Sequence, residues 1–447
     1  MRGRGIRAAV ALAGVIGLLT SCESNSDGTA ADEAGSAGSD PSMTSQSFDA
    51  EPKTEWTQEL SAVPGAGGGQ FLADSWRGKS SVFTTPDRVV VLSSNGFAGF
   101  SAADGAVVWT RESDVYYDGL ECAASSTDDS LTCFDNREDL LYSLDINTGS
   151  QRWSIVDSAR PQPERLAGGK LPRRSEEIVH AAADGIFVTY QVSNDQPRDP
   201  EDVFGSSTFV EKYDASSGEF RWKTDLTVDN DFSCGTSSLR VLDSRAFALG
   251  AMFDPATGDR LGENTECYQA VTGNTYVGYT PTRIPTGQFP AQNVTLFSKD
   301  GKPVADLPGT GLEIRKSPED ARVSILVGEQ WYSAETGEAV TVAQPDNLGA
   351  TDVSGALVFN RSNGEVATSS EADSLRTLGE GRIVGYNSKL LFVNDDESGL
   401  TAFDLQGGDK NPVWRIDNAE FTPGDYWAHL SGDGFVLISK SRVALVR

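Results

Sequence analysis

One nine-residue pattern recurs along this 447-residue chain: an Asp, a Gly four residues later, and a Trp four residues after the Gly. Its fullest copy is Asp145-Ile146-Asn147-Thr148-Gly149 followed by Trp153, with apolar residues at 141, 142 and 144 just before it. Asp and Asn side chains hydrogen-bond to nearby backbone amides, and Gly adopts the positive φ that a tight reversal needs. The pattern therefore predicts a β-hairpin with the Trp on its second strand.

Related copies of this pattern are spread over about three hundred residues. They are Ser101/Gly105/Trp109, Asp214/Gly218/Trp222, Asp254/Gly258 and Ser333/Gly337 without a Trp, a shortened Lys299-Asp300-Gly301, and Asp404/Gly408 with Trp414. Short apolar runs such as 88–92, 185–190 and 389–393 precede several of them, and no helical periodicity follows residue 21. Strands and a hairpin repeated every ~40–50 residues indicate an all-β chain built of four-stranded antiparallel propeller blades.

The ends of the chain predict how the propeller closes. Strands at 434–438 and 442–446 leave the last blade incomplete, and residues 54–58 form a strand containing Trp56 without a preceding hairpin. The N-terminal strand is therefore expected to complete the last blade, which removes an exposed sheet edge. At ~50 residues per blade, residues 54–447 give eight blades; seven is the alternative, because 347–381 is poorly patterned.

The Asp-x-x-Thr-Gly-x-x-x-Trp pattern resembles the repeat of the quinoprotein-like (PQQ-like) β-propeller superfamily. Residues 145–153 match it fully, and 214–222 and 254–262 match in part. In that superfamily the Trp of the outer strand docks between neighbouring blades. The resemblance therefore implies a blade-docking, structural role for five tryptophans: Trp56, Trp109, Trp153, Trp222 and Trp414. The aspartates of the pattern are interpreted as turn-forming residues rather than metal ligands or bases.

The first 53 residues predict export and anchoring. Arg2, Arg4 and Arg7 precede an apolar run at 8–20, which is too short to span a bilayer, and Leu19-Thr20-Ser21-Cys22 resembles a bacterial lipoprotein box. The predicted organisation is a signal peptide at 1–21, a disordered acidic tether at 22–53 with lipid on Cys22, and a propeller at 54–447. An ordinary secretory peptide is the alternative. The expected location is the extracytoplasmic face of the cell membrane.

Charge and cysteine content narrow the partners. The chain has 37 basic and 65 acidic residues, a formal charge of −28, which argues against nucleic acid and against membrane contact other than the lipid anchor. Besides Cys22 it has Cys122, Cys133, Cys234 and Cys267, an even number that suggests disulfides behind an export signal. Of three possible pairings, Cys122–Cys133 and Cys234–Cys267 are favoured because each stays within one predicted blade. A zinc site is the rival, although neither His lies nearby.

Function is the least constrained property. No phosphate loop, zinc-protease or nucleophile-elbow motif occurs, and His180 and His429 stand far apart in sequence without a clear nucleophile partner. No catalytic, cofactor or metal residue is predicted. Long connections such as the cation-rich 158–177 and the acidic 194–206 often carry binding, but a surface loop without a role is an alternative that their composition favours at least equally. The expected function is binding or scaffolding of an envelope protein or extracytoplasmic ligand by a monomeric ring. A similar propeller lipoprotein serves as a scaffold in bacterial outer-membrane assembly, which is an analogy for what this fold can do. The alternatives are a quinoprotein-like oxidoreductase and a sensor that binds a small ligand in the central channel.

Overall fold

The computed structural model consists of short antiparallel sheets. It describes residues 42–44, 46–65, 69–72, 81–112, 120–125, 128–135, 138–161, 173–182, 185–193, 206–227, 234, 239–263, 265–281, 291–314, 324–340, 350–353, 356–360, 365–369, 375–395, 399–405, 411–416, 421–423, 425–431 and 433–447. Two short strands come first, β1 (Ser42–Met43) and β2 (Thr54–Glu59). Single turns of 3-10 helix occur at Leu60–Ala62 and Asp157–Ala159.

The strands that follow form sheets, numbered here in chain order. The first contains β3 (Val82–Thr84), β4 (Arg88–Ser93), β5 (Gly96–Ser101) and β6 (Val107–Glu112). The second contains β7 (Leu120–Ala124), β8 (Ser130–Asp135), β9 (Leu140–Asp145) and β10 (Gln151–Val156). The third contains β11 (Arg173–Ala182), β12 (Gly185–Ser193), β13 (Ser206–Tyr213) and β14 (Phe220–Asp225).

The middle sheets are smaller. The fourth contains β15 (Arg240–Leu242), β16 (Arg245–Ala248), β17 (Ala251–Phe253) and β18 (Arg260–Leu261). The fifth contains β19 (Cys267–Ala270), β20 (Thr275–Pro281), β21 (Ala291–Ser298) and β22 (Pro303–Leu307). The sixth contains β23 (Leu312–Ile314), β24 (Ser324–Val327), β25 (Gln330–Ser333) and β26 (Ala339–Val340).

Three further sheets complete the described chain. The seventh contains β27 (Ala350–Val353), β28 (Ala356–Asn360), β29 (Glu365–Ser369) and β30 (Leu375–Glu380). The eighth contains β31 (Arg382–Tyr386), β32 (Leu390–Asp395), β33 (Gly399–Asp404) and β34 (Trp414–Arg415), with β1 as a fifth strand parallel to β31. The ninth contains β35 (Tyr426–Ser431), β36 (Gly434–Ser439) and β37 (Arg442–Val446), with β2 as its fourth strand.

Burial changes from the second strand of a sheet to the fourth. In β4 the consecutive residues Val89, Val90 and Val91 are all buried, because neighbouring sheets cover both faces. In β6, at the opposite edge of the same sheet, Trp109 is the one buried residue. The first strands of neighbouring sheets approach each other, as β7 and β11 do. The first strands therefore face the common axis and the fourth strands form the outer wall.

Apolar clusters join the sheets in sequence. Each described cluster combines side chains of two consecutive sheets, and the pairs run 7–8, 8–9, 9–1, 1–2, 2–3, 3–4, 4–5 and 5–6. Sheets that pack face to face around an axis, each closed by its own hairpins, define a β-propeller. Side chains of the seventh sheet are described only in part, so full ring closure stays a prediction.

Two sequence expectations can be compared directly with these sheets. The N-terminal strand pairs antiparallel with β37, from Thr54↔Val446 to Glu59↔Arg442, as the unfinished last blade implied. The described residues form nine sheets rather than the expected eight or seven. The estimate failed because it divided the chain by a uniform repeat length. The fourth sheet needs only residues 240–261, and the poorly patterned 347–381 contains a complete seventh sheet.

Candidate functional site

The tryptophans of the repeat lie at the junctions between sheets. The Trp109 indole packs on the hairpin turn of the next sheet at Gly149, where a Cβ would come within 2.5 Å of the ring, and its Nε1–H donates to the Ile146 carbonyl at 2.8 Å. Trp153 packs on Gly218 and Trp56 on Gly105 in the same way, with bonds to Ala215 and Ala102. Each such Trp therefore joins its sheet to the next.

Two junctions depart from this arrangement. Trp222 packs on Gly258, but the Lys212 ammonium donates to the Pro255 carbonyl at 2.8 Å, the position that receives an indole N–H elsewhere. The buried Trp222 Nε1 has no acceptor within the described part of the chain. Trp414 donates instead to the Phe48 carbonyl at 2.6 Å, a residue of the N-terminal segment.

The turn aspartates act on their own turns. The Asp145 carboxylate accepts the backbone N–H groups of Asn147 and Thr148, both at 3.0 Å, and pairs with Arg152 at 2.8 Å. Partial burial opposes ionisation, but the bonds from Arg152 and Thr148 outweigh it and hold the pKa of Asp145 below its usual value. Asp214 repeats this geometry with Arg221 at 2.7 Å. The Arg that precedes the Trp is thus a turn partner that the sequence analysis did not single out.

Cys122, Cys133, Cys234 and Cys267 form two disulfides. Cys122 bonds to Cys133 across the paired strands β7 and β8, and Cys234 bonds to Cys267 at the start of β19. This is the pairing that the sequence favoured over the alternatives. The second disulfide differs from the expectation in one respect: Cys267 lies in the fifth sheet and Cys234 precedes the fourth. It therefore joins parts of the chain on both sides of a whole sheet.

The third sheet concentrates buried ionisable side chains. Arg160, His180, Glu211 and Lys212 are all buried, and all lie in this sheet or in the segment that leads into it. Among the described Asp, Glu, Lys, Arg and His residues, only His429, in the ninth sheet, is also buried. Charged residues are seldom fully buried unless they are paired, and buried ionisable groups are enriched at functional sites. This part of the propeller is therefore the candidate functional site.

Glu211 is the centre of the buried group on the side facing the second sheet. Its carboxylate accepts hydrogen bonds from the Tyr190 hydroxyl at 2.7 Å and the Tyr213 hydroxyl at 2.5 Å. Arg160 donates to it from Nη2 at 3.0 Å and from Nε at 3.2 Å. The side chains of Arg160 and Glu211 are both inaccessible to solvent. Burial raises the pKa of Tyr213, although the Arg160 charge opposes the shift, so its hydroxyl acts as a donor at neutral pH.

Lys212 points to the opposite side of the same strand. Side chains alternate along β13, so Glu211 faces the second sheet and Lys212 faces the fourth. Lys212 lies in a cross-strand row with His180, Phe187 and Trp222, and its ammonium sits 5.0 Å from the centre of the Phe187 ring. His180 Nε2 is 3.3 Å from the Thr189 hydroxyl. The sheet thus has a buried charge on each face.

The arrangement is suited to holding structure rather than to proton transfer. Both Glu211 oxygens are bonded to donors, and such a network rigidifies a site when every member is satisfied. Arg160 is also the first cation of the 158–177 connection, of which 162–172 lie outside the described residues. The network therefore fixes the point at which that connection leaves the propeller.

The third sheet also extends beyond its neighbours. β13 runs eight residues, whereas β17 at the same place in the fourth sheet runs three, and both lead directly into an Asp turn. At ~3.4 Å per residue the difference is about 17 Å. The extra length lies at the end opposite the Asp turns, where β11 begins at Arg173, β12 ends at Ser193 and β13 begins at Ser206. That end of the propeller is called the connection face below.

Other candidates from the sequence have separate positions. Cys22 and residues 1–41 lie outside the described residues. His429 is buried in the ninth sheet, in a different sector from His180. The described residues contain no group of three or more side chains able to hold a metal ion, and no helix among them is long and apolar enough to cross a membrane.

With the fold established as a β-propeller, comparisons with known proteins add little. No protein-family model matches the chain, and no curated protein matches it. Solved structures with a similar shape include BamB from Moraxella catarrhalis, 13% identical with a TM-score of 0.45, covering 89% of this chain and 98% of that one. Another is quinohemoprotein alcohol dehydrogenase from Comamonas testosteroni, 10% identical with a TM-score of 0.45, covering 89% and 76%. Likenesses this weak carry no inference about function.

Proposed function

We propose that this protein is an extracytoplasmic binding or scaffolding module, a β-propeller that binds an envelope protein or another extracytoplasmic ligand. The observation that supports this proposal is the length of the third sheet: β13 has eight residues, against six in β9 of the second sheet and three in β17 of the fourth. Elevated elements on a rigid frame are typical places for binding. The buried Arg160–Glu211 pair anchors the base of this sheet and limits its movement.

The proposed location is the outer surface of the cell membrane. The basic start, the apolar run of 8–20 and Cys22 support a lipid anchor, and two disulfides suit an oxidising compartment. A Cys22→Ser variant tests the anchor. We expect wild-type protein in the membrane fraction and the variant in the soluble extracytoplasmic fraction. Membrane association of the variant equal to wild type would contradict the anchor but leave the binding proposal standing.

Position-specific crosslinking tests the binding surface. A photocrosslinking residue replaces Gln191, near the end of β12 at the connection face, or Ser216, an exposed residue of the third sheet's Asp turn at the opposite end. We expect a discrete adduct from position 191 in the native envelope and none from position 216. Equal capture from both positions, or from neither, argues against a binding surface at the connection face.

The same purified protein separates binding from catalysis. Incubation with a quinone cofactor and calcium, followed by a dye-reduction assay, reports oxidoreductase activity. We expect no dye reduction above that of the cofactor and calcium alone. Saturable, protein-dependent reduction would replace the binding proposal with the oxidoreductase alternative.

A further inference from the structure

The ninth sheet lacks the turn that other sheets present to the preceding Trp. Its third and fourth strands, β37 and β2, come from opposite parts of the sequence, so no hairpin joins them. Residues 44 and 46–52, here called the N-terminal strap, lie at the missing turn, although the sequence predicted that they belong to the disordered tether. Trp414 donates to the strap carbonyl of Phe48 at 2.6 Å, as Trp109 donates to a true turn at 2.8 Å. The strap thus provides the carbonyl acceptor for the preceding Trp that a hairpin turn provides in other sheets.

One side chain provides most of the strap's packing. The Phe48 ring is 5% exposed and lies between the eighth and ninth sheets, 5.3 Å from the Phe392 ring and 4.9 Å from the Phe435 ring. The side chains on both sides of it are exposed: Gln46, Ser47, Asp49 and Ala50. Burial of an aromatic ring is a large stabilising term, whereas exposed side chains contribute little.

Polar contacts also hold the strap. Thr44 N–H donates to the Tyr386 carbonyl and Asn387 Nδ2 to the Gln46 carbonyl, both at 2.9 Å. The Lys389–Asp49 ion pair is exposed on both sides. On both sides of Phe48 the strap borders a cavity of about 330 Å³, which is also lined by Asp433 and Arg447. Pro52, at the end of the strap, is buried.

The strand that follows the strap is attached independently. β2 has its own ladder to β37, and Trp56 docks on Gly105 of the first sheet. The ninth sheet can therefore keep four strands while the strap is detached.

We propose that the N-terminal strap is a releasable closure of the cleft between the eighth and ninth sheets, with Phe48 as the group whose insertion controls its occupancy. Release uncovers an aromatic cleft formed by Phe392, Trp414 and Phe435, together with the free Trp414 N–H. We expect this cleft to bind an extended peptide with one aromatic residue, because the strap is itself an extended segment that inserts one aromatic ring, Phe48. The strap follows β1, which pairs in parallel with β31 of the eighth sheet, so tension on the chain before residue 42 acts first on this two-residue pairing and then on the strap. None of this depends on the proposed function.

Amide hydrogen exchange on the wild-type chain gives the first test. The Thr44 amide reports strap opening, and the β2 and β37 amides report opening of the ninth sheet. We expect Thr44 to exchange faster than the β2 and β37 amides, as local opening requires. A common rate for all three would overturn the proposal, because the strap would then open only with the sheet.

Phe48→Ala in the full chain gives the second test. We expect about a hundredfold faster Thr44 exchange, from the size of aromatic-to-Ala losses in cores, with β36 and β37 amides unchanged. A labelled synthetic peptide of residues 44–53 should bind this variant saturably, and a peptide with Ala at the Phe48 position should not. Asp49→Asn is the matched control and should change Thr44 exchange at most about fivefold. Wild-type exchange rates in Phe48→Ala, or no binding of the peptide, would refute the proposal that Phe48 controls a releasable strap.

Discussion

Adjacent charges with opposite signs in β13 show how a residue pair can serve two interfaces. Glu211 accepts bonds from Arg160 and two tyrosines on one face of the third sheet, and Lys212 donates to Pro255 on the other. The alternation of a strand dictates that neighbours face opposite ways. Two charges within the apolar run around 209–213 were a visible signal of this in the sequence. Their partners were not predictable, because Arg160 is 51 residues away from Glu211.

Removing the charge of Glu211 tests the buried network. Glu211→Gln removes the buried carboxylate beside Arg160 and leaves the more distant Asp157, at 3.7 Å, and breaking a buried pair costs about 3–5 kcal/mol. We expect a clearly lower urea midpoint and melting temperature. Glu219→Gln is the matched control, because Glu219 pairs with Arg221 at the exposed end of the same sheet. Its loss should be at most about 1 kcal/mol. Equal losses in the two variants would show that the network is not a stabilising centre.

The turn aspartates predict a pH dependence. Hydrogen bonds from Ser216, Arg221 and Ser217 hold the pKa of Asp214 well below its usual value. A group with a lowered folded-state pKa stabilises above the unfolded-state pKa, and that stability is lost as pH falls through the folded-state value. We therefore expect Asp214→Asn to be less stable than wild type at neutral pH by no more than about 1 kcal/mol. As the pH falls below about 4, the stability of the variant should decrease less than that of wild type. Parallel stability curves from pH 7 to pH 2 would contradict this.

At the scale of elements, the Trp–Gly contact is the unit that repeats. The turn Gly provides both a positive φ and the room for an indole from the preceding sheet. Where the Trp is missing, other residues take its place. Arg245 donates to the carbonyls of Lys299 and Asp300 at the junction of the fourth and fifth sheets, and Ala305 lies against Gly337 at the next.

Gly149→Ala tests this contact. Gly149 has φ +68°, and a Cβ would come within 2.5 Å of the Trp109 ring. Left-handed backbone costs an L-residue about 1–2 kcal/mol, and overpacking a further ~1–3 kcal/mol. We expect a large loss in the free energy of unfolding. Gly273→Ala is the control, because its Cβ meets nothing within 4 Å. It should be neutral or slightly stabilising. Comparable losses in both variants would show that the contact between Trp109 and Gly149 does not stabilise the fold.

The elements also show which parts of the fold the sequence could reveal. Hairpins with an Asp, a Gly and a Trp at fixed spacing, as at 145–153, were predictable because local turn chemistry and packing agree there. The seventh sheet was missed because β27 to β30 have neither the full turn nor the Trp, and their identity depends on pairing with each other. The role of Phe48 was also hidden, because its partners lie more than 340 residues further along the chain.

For the whole molecule, both ends of the chain meet in one sheet. β2 pairs with β37, Lys53 and Arg447 exchange backbone hydrogen bonds, and the cluster around Trp56 joins the ninth sheet to the first. The propeller therefore depends on a segment that, in the proposed function, follows directly from the membrane tether. In this proposal the same N-terminal segment connects the propeller to the membrane and completes its ninth sheet.

Two N-terminal deletions separate the tether from the closing strand. Removing residues 23–41 shortens the tether and leaves every described contact of the ring in place, so we expect wild-type melting and a monomer. Removing residues 23–59 also takes away the strap and β2, which exposes the backbone edge of β37 and the apolar side chains around Trp56. An unpaired, apolar edge strand promotes association. We therefore expect a lower melting temperature and oligomers by light scattering from the longer deletion. If it melts and sediments as the shorter deletion does, closure by the N-terminal strand contributes nothing to the stability of the ring.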